Sequence, residues 1–114
     1  PFEIEGELDW MAKYFFTGGM MPADHLYYYF QDDLEIEKHW RVRGTHYERT
    51  ARLWLEKQDQ NREKILEIFR DTYGEGQEII WFNRWRMFFL ACAELFGTRN
   101  GTEWYVSHYR FQKA

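Results

Sequence analysis

The sequence predicts an α/β fold that is mostly helical, with two strands of the kind that close the end of a larger sheet. Residues Leu34 to Arg43 alternate, with Leu34, Ile36, Trp40 and Val42 on one face and Glu35, Glu37, His39, Arg41 and Arg43 on the other. A period of two marks a half-buried strand. Trp104 to Phe111 alternates again, Tyr105, Tyr109 and Phe111 against Trp104, Val106 and His108, and reads as a closing strand. Apolar stripes at helical spacing lie between them. Two strands alone make a marginal sheet, and each apolar strand face needs neighbours that this chain does not provide. The order helix, strand, three helical segments, strand therefore fits the end of an α/β sheet better than a free-standing fold.

Taken in order, Pro1 to Glu7 is acidic and irregular, and Leu8 to Phe16 has the apolar positions of a short helix. Thr17-Gly18-Gly19-Met20-Met21-Pro22 breaks it, since paired glycines allow positive φ or a close backbone approach. Pro22 suits the first position of a helix running through His25, Leu26 and Tyr29 to about Asp32. After the strand, Thr45 and Glu48 have the form of a capping box, in which hydroxyl and carboxylate each satisfy a free N–H. They open a helix to about Lys57 and put Tyr47 on its first turn, where a rigid backbone can hold a side chain toward a site. Asp59-Gln60-Asn61 supplies a break or kink. A stripe of Ile65, Leu66, Ile68, Phe69 and Tyr73 then leads to Gly74-Glu75-Gly76. The last helix runs from about Gln77 to Phe96, with Gly97 where a helix stop belongs.

A chain of 114 residues is one domain at most. It begins Pro1-Phe2-Glu3 without methionine or targeting signal, and is expected to be a piece of something longer. A net charge of −4 argues against an electrostatic nucleic-acid partner, which needs clustered cations. No apolar run reaches the roughly 18 residues of a membrane span, so a membrane contact would be peripheral. Aromatic residues make up 21% of the chain, more than a small core usually needs. They suit either a heavily packed core or an apolar pocket for a long, greasy or cationic ligand. His25, His39, His46 and His108 lack ligand spacing, and no metal site is expected. The single cysteine, Cys92, sits within an apolar helical stripe, reads as a core residue, and suits a reducing compartment such as the cytoplasm. Arg84 and Glu94 read as surface or sheet-end charges.

Three motifs carry a resemblance that spans nearly the whole chain. Tyr14-Phe15-Phe16-Thr17-Gly18-Gly19-Met20-Met21-Pro22, Gly44-Thr45-His46-Tyr47-Glu48-Arg49-Thr50 with Leu53-Trp54, and Arg84 to Phe96 are similar to segments of the cyclopropane-fatty-acyl-phospholipid synthases and mycolic acid methyltransferases. They occur in that family's order and at similar spacing. The resemblance implies the C-terminal, acyl-channel portion (residues 1–114) of a seven-stranded Rossmann-like methyltransferase fold. It implies transfer of a methyl from S-adenosylmethionine to the cis double bond of an unsaturated fatty-acyl lipid, with bicarbonate as base. Tyr47 matches the tyrosine that positions bicarbonate, and Thr17, Met21, Ala51, Phe88, Cys92 and Phe96 match positions around the acyl channel. It further implies a missing N-terminal portion that holds the cofactor, a homodimer as one assembly, and cytoplasmic placement with peripheral contact at the inner membrane face. Thr17 replaces the family's usual proline and Ala51 its usual leucine, so the channel is expected to be wider or locally polar. Methylation without ring closure, and a non-catalytic aromatic groove that binds lipid or a partner protein, are the alternatives. Alone, the 114 residues are expected to be inactive, because the Gly-rich strand–loop–helix for the cofactor is absent.

Overall fold

The computed structural model describes Gly6 and residues 9–114. Pro1 to Glu5, Glu7 and Leu8 fall outside the described residues, and with them the expected acidic lead and the start of the first helix. The elements are α1 (Trp10–Tyr14), a 3-10 turn (Leu26–Tyr29), β1 (Leu34–Arg43), α2 (Gly44–Gln60), α3 (Arg62–Tyr73), α4 (Glu78–Gly101) and β2 (Tyr105–Lys113). The chain is mostly helical, with its two strands paired to each other. They run antiparallel: Arg110 reaches back to Glu37, Gln112 to Glu35, and the Ala114 N–H to the Asp33 carbonyl.

The chain forms two compact units, Pro1–His39 with Tyr109–Ala114, and Trp40–His108. In the first, only one four-residue 3-10 turn stands where a helix from Pro22 to Asp32 is expected. Polar anchors replace helical packing there. His39 Nε2 lies 3.1 Å from Asp24 Oδ1 and its Nδ1 3.2 Å from Tyr28 Oη, while the ring stacks on Tyr109 at 4.3 Å. His39 is thus half-buried although it lies on the polar face of β1, and Leu34 on the apolar face stays 49% exposed.

The second unit is built on α2 packed along α4, with α3 laid across both. Gly44, Ala51 and Gln58 form the buried stripe of α2, each seven residues from the last. Phe82, Phe88, Cys92 and Ala93 face inward from α4. Burial of a side chain the size of Phe88 contributes about 1.5–3 kcal/mol. Small residues on α2 let the helices approach closely. A Cβ on Gly44 would lie 2.2 Å from the Phe96 carbonyl oxygen and 2.3 Å from that of Trp104.

Two expected caps differ. α2 starts one residue early, at Gly44, with Arg43 as its N-cap and no side-chain capping bond. Thr45 therefore lies inside the helix. Glu48 turns to Arg52, whose Nη2 is 3.1 Å from Oε1, so the capping box does not form. At the other end, the backbone leaves the helix at Thr98, as a stop at Gly97 predicts, but the left-handed residues are Arg99, Asn100 and Gly101. Gly97 serves by its lack of a side chain, since a Cβ there would meet the Glu48 carboxylate at 2.7 Å.

Candidate functional site

An aromatic ladder runs along the α2–α4 seam. Tyr47, on the first turn of α2, meets Phe96 edge-on at 4.4 Å and Trp54 at 6.1 Å. Trp54 continues to Phe89 (5.9 Å), Phe89 to Trp85 (5.7 Å), and Trp85 to Phe88 (5.5 Å). Rings seven residues apart on α2 and three, four or seven apart on α4 fall on facing stripes of two antiparallel helices, which is why the sequence folds into this arrangement. The indole N–H of Trp85 donates to Tyr73 Oη at 3.3 Å, so its polar atom is satisfied and its ring is held.

At the Tyr47 end the rings are half-buried. The Tyr47 hydroxyl donates to the Cys92 thiol, and desolvation, more than this bond, pushes the phenol above its ordinary value. Burial likewise raises the Cys92 thiol, partly offset by the bond from Tyr47. Cys92 is therefore a neutral core thiol rather than a nucleophile. Trp54, Cys92 and Phe96 around Tyr47 bring no positive charge to hold an anion.

At the other end the ladder opens into a groove of about 540 Å³ between α2, α3 and α4. Trp54, Ile65, Ile68, Phe69, Trp85 and Phe89 form its apolar walls, and Lys57, Gln58, Asn61 and Lys64 supply its polar atoms. Among the described residues no carboxylate lines it. Such a groove accepts a flat apolar body and disfavours a cation beside the two ammonium groups.

The structure thus brings Tyr47, Cys92 and Phe96 together, and buries Ala51 (0% exposed) on the same stripe of α2. Phe88 is buried one step from the groove wall, against Trp85 and Phe89. Thr17 and Met21 belong to the first unit. Both are exposed on the turn after α1, with the Thr17 hydroxyl donating to the Ala12 carbonyl. Glu94 is a surface charge paired with Arg52, and Arg84 lies over the Trp81 ring at 4.7 Å. Among the described residues no group of His, Cys, Asp and Glu could hold a metal ion. The Gly18–Gly19 turn follows α1 rather than a strand, so the described residues do not form the strand–loop–helix cradle of a nucleotide cofactor. Sequence reasoning missed Gln58, Trp85 as a groove wall, and the groove itself. The seven-residue spacing of Gln58 from Ala51 was the available signal.

Comparison with known proteins fits this architecture. No protein-family model matches the chain. It is 38% identical over 116 residues to (S)-coclaurine N-methyltransferase of Thalictrum flavum subsp. glaucum, covering 98% of this chain and 32% of that protein. It is 33% identical over 115 residues to pavine N-methyltransferase of the same plant, with the same coverage. The crystal structure of a coclaurine N-methyltransferase bound to N-methylheliamine and SAH superposes with a TM-score of 0.75 at 34% identity, over 97% of this chain and 34% of that one. The chain spans about a third of the length of the curated relatives it matches.

Proposed function

We propose, for a chain that has the sequence and fold of a methyltransferase segment, that the whole enzyme transfers a methyl from S-adenosylmethionine to the nitrogen of an aromatic amine. In this reading the groove between α2, α3 and α4 holds the substrate ring. The observation that carries it is the similarity of almost the entire chain to alkaloid N-methyltransferases. The aromatic walls of the groove support it. S-adenosylmethionine supplies the electrophilic methyl, and its site lies on the part of the fold outside this segment.

The chain's own residues do three things in this reading. Trp54, Trp85 and Phe89 take the ring out of water, where burial of a flat apolar body is favourable. Lys57 and Lys64, with no carboxylate among the described residues that line the groove, disfavour the protonated amine and so favour the free base. That is the required form, because only a neutral nitrogen has a lone pair to attack with. Tyr47 and Phe96 close the far end of the seam, packed edge to face.

Methyl transfer to the cis double bond of an acyl chain, with bicarbonate positioned by Tyr47 and Thr17, Met21, Ala51, Phe88, Cys92 and Phe96 around the chain, is the second reading. It is favoured by the three sequence motifs. The matched N-methyltransferases give it no support, and methylation of a nitrogen creates no carbocation that bicarbonate would have to deprotonate. The intact enzyme, given S-adenosylmethionine with an aromatic secondary amine and an unsaturated phospholipid together, separates the two. Product mass spectrometry should find the methyl on the amine nitrogen and the lipid unchanged. A methylated or cyclopropanated acyl chain with unchanged amine would refute the proposal.

A further inference from the structure

Three rings converge on Tyr73, the last residue of α3. Its own ring lies flat on Trp81, with centroids 4.0 Å apart and planes 7° from parallel. It meets Phe69 edge-on at 5.3 Å, and its Oη accepts the indole N–H of Trp85 at 3.3 Å. Trp81 and Trp85 are one helical turn apart on α4, so one side chain from α3 can touch both. Helix ends fray, and directly after Tyr73 the chain turns away at Gly74 with a φ of +104°. This end is nevertheless pinned, by a stack and a hydrogen bond to α4. Phe69 and Trp85 are walls of the groove, and Tyr73 is not among the described residues that line it. Tyr73 therefore stands behind two walls, one from each helix.

We propose that Tyr73 is a positioning residue for the substrate ring: it tethers the Trp85 indole from behind and so fixes the wall against which the aromatic amine packs. This assignment rests on the N-methyltransferase reading, with the ring in the groove, and adds to it a residue that does not itself meet the amine. The Trp85 ring is half-buried, and its N–H bond to Tyr73 removes a rotation that packing against Phe88 and Phe89 alone leaves open. A wall held in one orientation before the substrate arrives spares the cost of ordering it on binding. Tyr73 acts in this way on the binding of the ring and not on the methyl transfer itself.

The test is a double-mutant cycle in the intact enzyme that carries this segment, with KM and kcat for an aromatic secondary amine and cofactor affinity measured throughout. Tyr73→Phe keeps the stack on Trp81 and the edge contact with Phe69, and deletes only the acceptor of the Trp85 N–H. Trp85→Phe keeps a ring in the wall and deletes only the donor. Tyr73→Phe should raise KM about fivefold, the worth of one neutral hydrogen bond, with kcat and cofactor affinity unchanged. In the Trp85→Phe background the same substitution should leave KM within about 1.5-fold, because the bond it removes is already gone. A general weakening of the fold would act equally in both backgrounds. An equal rise in both, or no rise in the wild type, overturns the assignment and makes Tyr73 a packing residue of the α3–α4 corner. Trp85→Ala separates this from the reading beneath it. A KM that rises in Trp85→Ala but not in Tyr73→Phe removes only the tether, whereas a KM unchanged in Trp85→Ala puts the ring elsewhere and overturns both. If the amine is not methylated, the N-methyltransferase reading falls first. Quenching of tryptophan fluorescence by the amine then gives its Kd in the same proteins, and the same cycle on Kd upholds or overturns Tyr73.

Discussion

Tyr47 spends its hydroxyl on the Cys92 thiol, and this bond separates the two chemistries open to the fold. Tyr47→Phe deletes one neutral hydrogen bond, so stability should fall by about 1 kcal/mol in a urea titration. For an amine substrate, kcat/KM should stay within about threefold. A role in holding bicarbonate predicts a slowing of roughly ten- to hundredfold instead. Burial raises both the Cys92 thiol and the Tyr47 phenol. An acid whose folded-state pKa lies above its unfolded value holds its proton more tightly when folded. Its contribution is intact at neutral pH and is lost as pH rises through the alkaline range. The urea midpoint should therefore drop above the titration range of a free thiol, and Cys92→Ala should remove the thiol's share of that drop. Iodoacetamide should label Cys92 far more slowly in the native protein than in denaturant. At this scale the sequence was readable wherever a residue's chemistry agreed with its place. Cys92 and Ala51 fell on apolar stripes and are buried. Gln58 was hidden because a polar residue in a helix reads as surface unless its spacing is followed, and Thr45 misled because the helix begins before it.

The elements that position the groove are α2 and α4, and their approach depends on Gly44. A side chain there would drive into two main-chain carbonyls, which cannot swing aside as a flexible side chain does. Gly44→Ala should therefore cost about 3 kcal/mol, the upper end of the range for overpacking, read as a shift in the denaturation midpoint. The control is Leu53→Ala on the exposed side of the same helix, where Leu53 is 49% exposed and the change should fall within about 0.5 kcal/mol. Elements with strong periodicity were legible: β1 spans the ten residues that alternate, and the α2–α3 break falls at Asn61, inside the polar run Asp59-Gln60-Asn61. The stretch from Pro22 to Asp32 was not. Its tyrosines and Leu26 suggest a helix, but the chain there is held by His39, Asp24 and Tyr109, contacts distant in sequence that no local pattern shows. The groove was equally illegible, since it exists only where α3 meets the other two helices.

Across the whole molecule, the two-stranded sheet and its exposed apolar residues Leu34 (49%), Trp40 (37%) and Phe111 (37%) match a sheet end that needs further strands beside it. Backbone amides of β1 and β2 in the isolated segment should exchange on the order of tenfold faster than those of α2 and α4, and should slow within a longer protein supplying the adjoining sheet. Hydrogen exchange read by mass spectrometry checks this. A groove that favours the neutral amine also predicts that KM falls as pH rises toward the amine's own pKa, where the free base becomes abundant. The most direct measurement of the central claim is KM for an aromatic amine in the intact enzyme and in Trp85→Ala, with cofactor affinity measured alongside. If the groove holds the ring, losing one aromatic wall costs about 1–2 kcal/mol, so KM should rise roughly five- to thirtyfold while cofactor affinity stays the same. An unchanged KM in a folded Trp85→Ala enzyme would place the substrate elsewhere and contradict the account.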